Sequence, residues 1–300
     1  MKKLTDTKKM LVCIDSDGCV FDNMDLKHQE CFCPATVNVW NLQGISRYVR
    51  EAAEFVNLYS KTRGMNRFPA LVRTMDLLRN RKEVVEREYA IPDMQPLVDW
   101  IDSTAKLSNE GLREYIDNHN DVSPILTQAL EWSEEVNWNI ERIVRNVIPF
   151  PYVRETLEKV KKVADIVVVS STPYEALLRE WDEHHLSKYV KAVCGQEQGT
   201  KAECIAALKT TYTEEHMIMI GDAPGDLASA TTNGVAFYPI IPKQEVSSWK
   251  IFYREVVDSF VSKAYDETMM KQYLDKFDRA LLEEPTWDTP EKGENDDETK

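Results

Sequence analysis

Five short apolar runs, unevenly spaced along the 300 residues, constrain the fold of this chain more than any other feature. From the second run onward, each is separated from the next by a segment long enough for one helix. This alternation is typical of βαβ crossovers, which build a parallel sheet with helices on both faces. The sequence therefore predicts an α/β fold with a doubly wound parallel sheet. The predicted strands are residues 10–14, 165–170, 189–194, 216–221 and 235–241.

The interval between the first two runs is different, because residues 23–147 contain no clear strand pattern. Apolar residues recur at helical spacing over residues 46–62 and again over residues 139–147. Ser123 and Pro124 have the character of an N-cap and a first helical position. We therefore predict an all-helical module inserted into the α/β domain after its first strand.

The predicted organisation has a discontinuous core, an inserted module and two C-terminal pieces. A helical pattern follows the last strand and is expected to pack back on the core. The end of the chain, residues 283–300, holds eight acidic residues and two lysines, which is typical of a solvated, disordered segment. The predicted boundaries are 1–22 and 148–245 for the α/β core, 23–147 for the helical module, 246–285 for the helical extension and 286–300 for the acidic disordered tail.

The net charge of −14 argues against nucleic acid or an anionic membrane as the main partner. No apolar stretch approaches the roughly 20 residues of a membrane-spanning helix, and the apolar run near the start is too short for a secretion signal. The six cysteines do not suggest a disulfide framework in a chain of this length. His28, Cys31 and Cys33 lack a second pair at zinc-like spacing, which favours free thiols over a zinc site. These features predict a cytoplasmic protein.

Polar side chains follow three of the predicted strands at the point where each strand ends. The carboxyl ends of parallel strands meet at one edge of a sheet, near the place where ligands bind in folds of this kind. One such loop is an ordinary surface feature, but three together indicate a site. The residues are Asp15 and Asp17 after the first run, Ser170 and Ser171 after the second, and Asp222 and Asp226 after the fourth.

Two capping boxes indicate which polar residues are free to face this site. Thr172 fits the N-cap of the first box, which leaves Ser170 and Ser171 beside backbone N–H groups that favour an anion. The second box starts at Thr200 and places Lys201 in the first helical turn, where the helix dipole disfavours a cation by about a few tenths of a kcal/mol. A bound anion explains that placement. A solvent-facing lysine is the alternative interpretation.

Four carboxylates at one sheet edge repel one another unless a cation lies among them. Mg²⁺ suits such a cluster, because it is usually held by one or two carboxylates together with waters and substrate phosphate. With Lys201 also positive, the predicted site matches a phosphoryl group. One aspartate at the strand end can attack phosphorus, and a second, two positions later on the same side of an extended segment, can transfer protons.

These residues, in this order, resemble the haloacid dehalogenase superfamily, in particular its phosphatase branch with a helical cap between the first and second motifs. "LVCIDSDGCVFDN" is similar to the first motif and "IVVVSS" to the second. Lys201 stands where the third motif has its lysine, and "IMIGDAPGDLASATTNG" is similar to the fourth. The resemblance implies a Rossmann-like α/β core, an aspartyl-phosphate intermediate and a cap that closes over the site and selects the substrate.

The resemblance also implies a role for each matching residue. Asp15 is expected to be the nucleophile and Asp17 the general acid and base, with Ser170 and Lys201 as further catalytic residues. The phosphate group is expected to be bound by Ser170, Ser171, Lys201 and Gly18. The expected Mg²⁺ ligands are Asp15, the backbone carbonyl of Asp17, Asp222 and, directly or through water, Asp226.

The expected function is that of a Mg²⁺-dependent phosphatase acting on a small phosphorylated metabolite. The resemblance implies that Asp17 favours ester hydrolysis or phosphomutase chemistry, so a phosphomutase is the close alternative. A slow or non-catalytic protein that binds a phosphorylated ligand is the alternative from another class. Arg63, Asn66 and Arg67, on a glycine-containing loop of the cap, are candidates to bind an anionic or hydroxylated substrate end, or else belong to a polar loop between helices.

Overall fold

The computed structural model describes residues 4–104 and 106–287, and it contains one five-stranded sheet. Every neighbouring pair of strands is parallel, in the order β3-β2-β1-β4-β5. This arrangement confirms the predicted doubly wound α/β fold. The strands are β1 (Met10–Ile14), β2 (Ala164–Val169), β3 (Ala192–Cys194), β4 (Met217–Gly221) and β5 (Ala236–Pro239).

Helices account for most of the remaining described chain. Turns of π-helix at His28–Phe32, Phe55–Tyr59 and Phe252–Val256 continue three of the α-helices. The first nine α-helices lie between β1 and β2, and the first eight of them lie within residues 23–147. The α-helices are α1 (Met24–Lys27), α2 (Cys33–Val39), α3 (Ser46–Glu54), α4 (Arg67–Asn80), α5 (Lys82–Val85), α6 (Gln95–Ser103), α7 (Asn109–Asn118), α8 (Pro124–Ile143), α9 (Val153–Val163), α10 (Tyr174–Glu183), α11 (Lys201–Leu208), α12 (Pro224–Asn233), α13 (Glu245–Ile251), α14 (Val257–Val261) and α15 (Glu267–Ala280).

Both faces of the sheet are buried, which explains why its strands are apolar runs and do not alternate with polar residues. One face packs against α9, α10, α13 and α14, and the other packs against α11, α12 and α15. A separate apolar cluster lies among the helices between β1 and β2, with Trp100 and Trp132 almost fully buried in it. None of the helices in residues 4–104 and 106–287 is long and apolar enough to cross a membrane.

Three predicted elements differ from the structure, and one of them is β5, which spans Ala236–Pro239 and not all of residues 235–241. Strand β3 is shorter than predicted because Ser187–Tyr189 forms a turn of 3₁₀-helix before it, and as an edge strand it pairs with β2 over three residues only. The helical pattern at residues 139–147 is not a separate helix, because α8 runs from Pro124 to Ile143 without interruption. It ends there because Val144 is extended and Asn146 has a left-handed φ of 55°.

The start of α8 confirms the local capping prediction, since the Ser123 side chain accepts a hydrogen bond from the N–H of Ile125. The predicted acidic tail falls mainly on residues 288–300, which lie outside the described part of the chain. Residues 281–287 are described, and Trp287 packs against the apolar cluster of the inserted helices.

Candidate active site

The site lies where strand order reverses, at the carboxyl ends of β1 and β4. These two strands are neighbours, with Ile14 opposite Ile220, and the N–H of Asp15 donates to the carbonyl of Ile220 at 3.0 Å. Asp222 follows β4, and Asp226 lies in the first turn of α12. Parallel pairing therefore brings together acidic residues that are about 200 positions apart in the sequence.

Asp15, Asp222 and Asp226 form a buried carboxylate cluster in which one oxygen from each lies within 4.8 Å of the others. Two oxygens of this cluster, Asp15 Oδ1 and Asp222 Oδ1, are buried and make no hydrogen bond to any described residue. Buried polar atoms normally have partners, so an unpaired pair of carboxylate oxygens indicates a place for a cation. Asp226 differs, because Lys201 binds its Oδ1 and the N–H of Ala223 donates to its Oδ2.

Lys201 is the cation that joins two of these carboxylates. Its Nζ lies 2.8 Å from Asp15 Oδ2 and 2.5 Å from Asp226 Oδ1. Helix α11 begins with the predicted capping box, in which Thr200 and Glu203 exchange side-chain and backbone hydrogen bonds. That box directs Lys201 at the cluster. Burial opposes the charge on Lys201, but the two carboxylates outweigh it and raise the pKa of Lys201 above its usual value. The solvent-facing alternative for Lys201 is therefore wrong.

The pKa values of two carboxyl groups in the cluster are raised. Burial raises the pKa of Asp15 to about 6, a shift that Lys201 reduces and Asp226 increases. Burial likewise raises the pKa of Asp222 to about 6, although the Arg63 guanidinium opposes the shift. Removing water from an anion disfavours its charged form, so both groups gain from an additional positive charge.

Asp17 lies in a different environment, surrounded by hydrogen-bond donors. Its Oδ2 accepts hydrogen bonds from Lys27 Nζ at 2.6 Å and from Thr172 Oγ1 at 2.8 Å. Its Oδ1 accepts a hydrogen bond from Asn23 Nδ2 at 2.6 Å. Burial alone would raise the pKa of Asp17, but the Lys27 ammonium and these hydrogen bonds lower it below its usual value. Asn23 Nδ2 also donates a hydrogen bond to Glu180 Oε1 at 2.8 Å. The pKa of Glu180 rises to about 7 because this carboxyl group is buried and lies near Asp17.

The prediction that Thr172 caps its own helix is wrong. Helix α10 begins at Tyr174 with Pro173 at the N-cap position, and the N–H of Tyr174 donates to Glu197 Oε2 at 3.0 Å. The Thr172 hydroxyl instead binds Asp17, which connects the loop after β2 to the loop after β1.

Among the predicted phosphate-binding residues, Ser170 is buried directly after β2 and its Oγ accepts the N–H of Thr172 at 3.3 Å. Ser171 is exposed. Gly18 has a φ of 69°, and a Cβ there would lie 2.6 Å from Asp222 Oδ2 and 2.7 Å from Arg63 Nη2. Only a glycine lets the chain approach these groups so closely in a left-handed conformation.

The three candidate specificity residues have separate placements. Arg63 is 4% exposed and reaches the cluster, where its Nη2 lies 2.6 Å and its Nε 2.9 Å from Asp222 Oδ2. Asn66 caps α4 through the N–H of Phe68 and donates to the carbonyl of Leu107. Arg67 donates to Ser133 and Asn137 on α8. The structure brings Arg63, but not Asn66 or Arg67, into contact with the carboxylates.

Charge and donor chemistry in this site fit a hard divalent cation. Within the described residues, the three cations Lys27, Arg63 and Lys201 contact four carboxylates. Lys201 is shared by two of them, so the ionised groups together carry a net charge of −1. The free atoms are carboxylate oxygens, the ligand type that Mg²⁺ prefers. No described residue donates a hydrogen bond to the backbone carbonyl of Asp17 either.

Sequence reasoning missed Lys27, Asn23, Thr172 and Glu180. Asn23 closes the first motif, and Lys27 follows it by one helical turn, with its N–H donating to the carbonyl of Asn23 at 2.9 Å. The spacing of four residues places both side chains on one face of a helix, and it was the signal in the sequence that Lys27 accompanies the first motif. The direction of that face depends on packing and is not readable from the sequence.

Gly18→Ala is expected to lower the free energy of unfolding by about 2–4 kcal/mol, from the left-handed backbone and the forced contacts together. Gly225→Ala is the matched control. A Cβ there would meet no atom of a described residue within 4 Å, and the position lies in the first turn of α12, so we expect no loss. Urea unfolding of both variants measures the difference. Equal stability of the two variants would contradict the described contacts at Gly18.

Comparison with known proteins identifies the family. The family described as haloacid dehalogenase-like hydrolase matches residues 82–240, more than half of the chain. The chain therefore belongs to the haloacid dehalogenase-like hydrolases. The matched range contains Ser170, Lys201, Asp222 and Asp226, and the first motif with Asp15 precedes it. A search of the curated proteins found no match.

The chain is also similar to solved structures that are described as hydrolases of the haloacid dehalogenase group. A haloacid dehalogenase-like family hydrolase from Streptococcus pneumoniae is 12% identical, with 80% of this chain and 90% of that chain covered and a TM-score of 0.43. A subfamily IA hydrolase from Geobacter sulfurreducens is 16% identical, with 78% and 88% covered and a TM-score of 0.36. The family assignment rests on the sequence match.

Proposed function

We propose that this hydrolase is a Mg²⁺-dependent phosphatase that acts on a small phosphorylated metabolite through an aspartyl-phosphate on Asp15. One observation carries the proposal: buried oxygens of Asp15 and Asp222 accept no hydrogen bond from any described residue, and the ammonium of Lys201 lies 2.8 Å from the other oxygen of Asp15. A cation next to an anion-binding lysine suits a phosphate ester, because phosphoryl transfer depends on charge neutralisation and positioning.

The donor set supports specific metal ligands. Asp15 Oδ1, Asp222 Oδ1 and the backbone carbonyl of Asp17 accept no hydrogen bond from the residues that the structure describes, so they would bind Mg²⁺ directly. Asp226 would act through water, because both of its oxygens already have donors. When bound, Mg²⁺ supplies positive charge that offsets the carboxylates and the phosphate oxygens.

Asp15 is the proposed nucleophile. Its carboxylate forms a bond to phosphorus while the bond between phosphorus and the leaving oxygen breaks. Water then attacks phosphorus, the bond to Asp15 breaks, and inorganic phosphate leaves. Lys201 holds Asp15 in place and, with Ser170, Ser171 and the backbone at Gly18, would bind the phosphate oxygens.

Asp17 is the proposed proton carrier, giving a proton to the leaving oxygen and taking one from the attacking water. With Lys27 at 2.6 Å, Asp17 is held as a carboxylate, which suits the step in which it accepts a proton. The donating step requires Lys27 to move away. Because Lys27 lies on α1, in the inserted helices, movement of those helices would switch Asp17 between its two roles.

The inserted helices, residues 23–147, form a proposed cap over this site, while residues 1–22 and 148–245 form the proposed core. Lys27 and Arg63 bring two cations from the helices to carboxylates of the core, Asp17 and Asp222. A cap held this closely over the site suits a small substrate. The binding of a substrate end by Asn66 or Arg67 would require them to leave their present partners on the cap.

Release of inorganic phosphate from a panel of phosphate esters, with and without Mg²⁺, tests the proposed function. The expected result is Mg²⁺-dependent release from at least one small ester and from p-nitrophenyl phosphate. Isomerised phosphate esters without net release would instead identify a phosphomutase. Binding of esters without either product would identify a non-catalytic protein.

Stabilisation by Mg²⁺ is expected to be larger at pH 7.5 than at pH 5. The pKa values of Asp15 and Asp222 are about 6 in the folded protein, above the usual value of about 4, so the metal-free fold binds more protons and loses stability as pH rises through 6. Mg²⁺ replaces those protons. Thermal unfolding with MgCl₂, against NaCl of equal ionic strength, measures the shift in Tm, and equal shifts at both pH values would contradict the site.

A further inference from the structure

We propose that residues 281–287, which we call the C-terminal strap, position Arg63 over the carboxylate cluster by tying the inserted helices to the sheet. The strap begins where α15 ends and reaches the chain segment just before Arg63. Its positioning role can be tested independently, while its effect on turnover rests on the proposed phosphatase function.

One end of the strap is anchored in the α/β core. Helix α15 packs against β5, with the rings of Phe277 and Phe237 6.2 Å apart. Leu281, the first strap residue, is 3% exposed in the apolar cluster on that face of the sheet. The strap therefore starts from a fixed point on the core.

The other end is attached to the inserted helices in three places, one of which is an ion pair between Glu284 Oε2 and Arg73 Nη2 of α4 at 3.2 Å. Leu282 forms a strand-like bridge, in which its N–H donates to the carbonyl of Tyr59 at 3.0 Å and its carbonyl accepts the N–H of Lys61 at 2.9 Å. Further along, the Trp287 ring packs edge-on against Phe55 at 5.6 Å and lies 4.6 Å from the guanidinium carbon of Arg81.

The bridged segment leads directly to Arg63. The N–H of Arg63 donates to the carbonyl of Ser60 at 3.0 Å, which closes a turn on the bridged residues. Arg63 Nη1 donates to Leu58 at 2.9 Å, so the guanidinium is braced from the same segment before it meets Asp222. On the far side of this turn, Gly64 comes so close to Ala223 that a Cβ would lie 2.6 Å away. A shift at residues 59–61 therefore moves Arg63 relative to Asp222.

The strap adds a non-covalent attachment between the sheet and the inserted helices to the two covalent chain crossings near residues 22 and 148. If the strap detaches, a smaller fraction of the protein molecules holds Arg63 against Asp222 at any moment. The apparent affinity for substrate then falls in proportion to that fraction, while molecules that have bound substrate react as before. The expected signature is a raised KM with kcat nearly kept.

Leu282→Pro tests the bridge, because proline lacks the N–H that donates to Tyr59. Glu283→Pro is the matched control, since the Glu283 N–H makes no hydrogen bond to a described residue. Hydrogen exchange at residues 59–63, measured without metal or substrate, is expected to speed up at least about tenfold in Leu282→Pro and to stay unchanged in Glu283→Pro. Unchanged exchange in both variants would overturn the proposal whether or not the protein is a phosphatase.

A second pair of variants guards against a general loss of stability. Trp287→Ala removes the contact with Phe55 and Arg81, and Trp287→Phe keeps an aromatic ring there. We expect KM to rise about tenfold in Trp287→Ala and to return towards the wild-type value in Trp287→Phe. Equal KM values in the two variants would contradict a positioning role for the strap.

A double-mutant cycle separates positioning of Arg63 from other effects of the strap. In an Arg63→Gln background, Leu282→Pro is expected to cause no further change in kcat/KM, because the group that it positions is gone. Additive losses would show that the strap acts elsewhere and would overturn the proposal. A wild-type protein without phosphatase activity would count against the proposed function, and the exchange measurement would still decide on the strap.

Discussion

Asp15→Asn is expected to reduce phosphate release by about 10⁴-fold or more, in the range found when an enzyme loses its nucleophile. Asparagine has the same shape but a much weaker nucleophile, and it cannot supply the anionic oxygen that attacks phosphorus. The fold is expected to survive, because burial already disfavours the charge on Asp15. At pH 7.5 the variant is expected to be at least as stable as the wild type without metal.

Asp22→Asn is the control for Asp15→Asn. Asp22 is an acidic residue of the same loop, but it is exposed and its backbone N–H bonds only to the carbonyl of Ile148. We expect its phosphate release to stay within about twofold of the wild type. Substantial activity in Asp15→Asn, with correct folding verified by circular dichroism, would rule out Asp15 as the nucleophile.

Lys201→Met is expected to lower the free energy of unfolding by about 3–5 kcal/mol at pH 7.5 without metal. Lys201 is the shared partner of Asp15 and Asp226, so its loss leaves two buried carboxylates without a cation. The loss is expected to shrink at pH 5, because burial already raises the pKa of Asp15 to about 6 and protonation removes its charge. Urea unfolding at both pH values measures the effect.

Lys209→Met provides the comparison for that measurement. Lys201 begins helix α11, and Lys209 is the C-cap residue of the same helix. The ammonium of Lys209 donates to the backbone carbonyl of Asn233, which carries no charge. Its loss is expected to cost about 1 kcal/mol, with little dependence on pH. A loss at Lys201 that is equally large at both pH values would contradict the pairing with buried carboxylates.

The sheet and the acidic half of the site were predictable because they depend on short-range signals. Continuous apolar runs identify strands buried on both faces. The residue after such a run lies at the end of the sheet where the carboxyl ends of the parallel strands meet, whatever the strand order. Asp15 and Asp222 could therefore be placed together from the sequence. Strand β3 was predicted too long because an edge strand has only one neighbour to set its length.

The cationic half of the site was less predictable, because its residues come from helices whose packing the sequence does not determine. Lys27 and Arg63 both lie between β1 and β2 and reach the carboxylates only through the arrangement of those helices. Arg67, four residues after Arg63, carries the same charge but points to α8. Charge and spacing do not distinguish the two arginines; the neighbour of each side chain does.

The strap was not predictable for a related reason. Trp287 lies in a stretch rich in acidic residues and proline, a composition that indicates a solvated end. Its ring nevertheless packs against Phe55, more than 200 positions earlier in the chain. A single aromatic residue in a polar segment carries no periodic signal, so its partner appears only in the three-dimensional structure.

Capture of the covalent intermediate is the sharpest test of Asp15 as the nucleophile. Wild-type protein with Mg²⁺ and an active ester is quenched in acid within the first turnovers, digested and analysed by mass spectrometry. We expect one added phosphoryl group on the peptide that contains Asp15, and none in Asp15→Asn. An active enzyme with a phosphoryl group on another residue, or with none on Asp15 at any quench time, would contradict it.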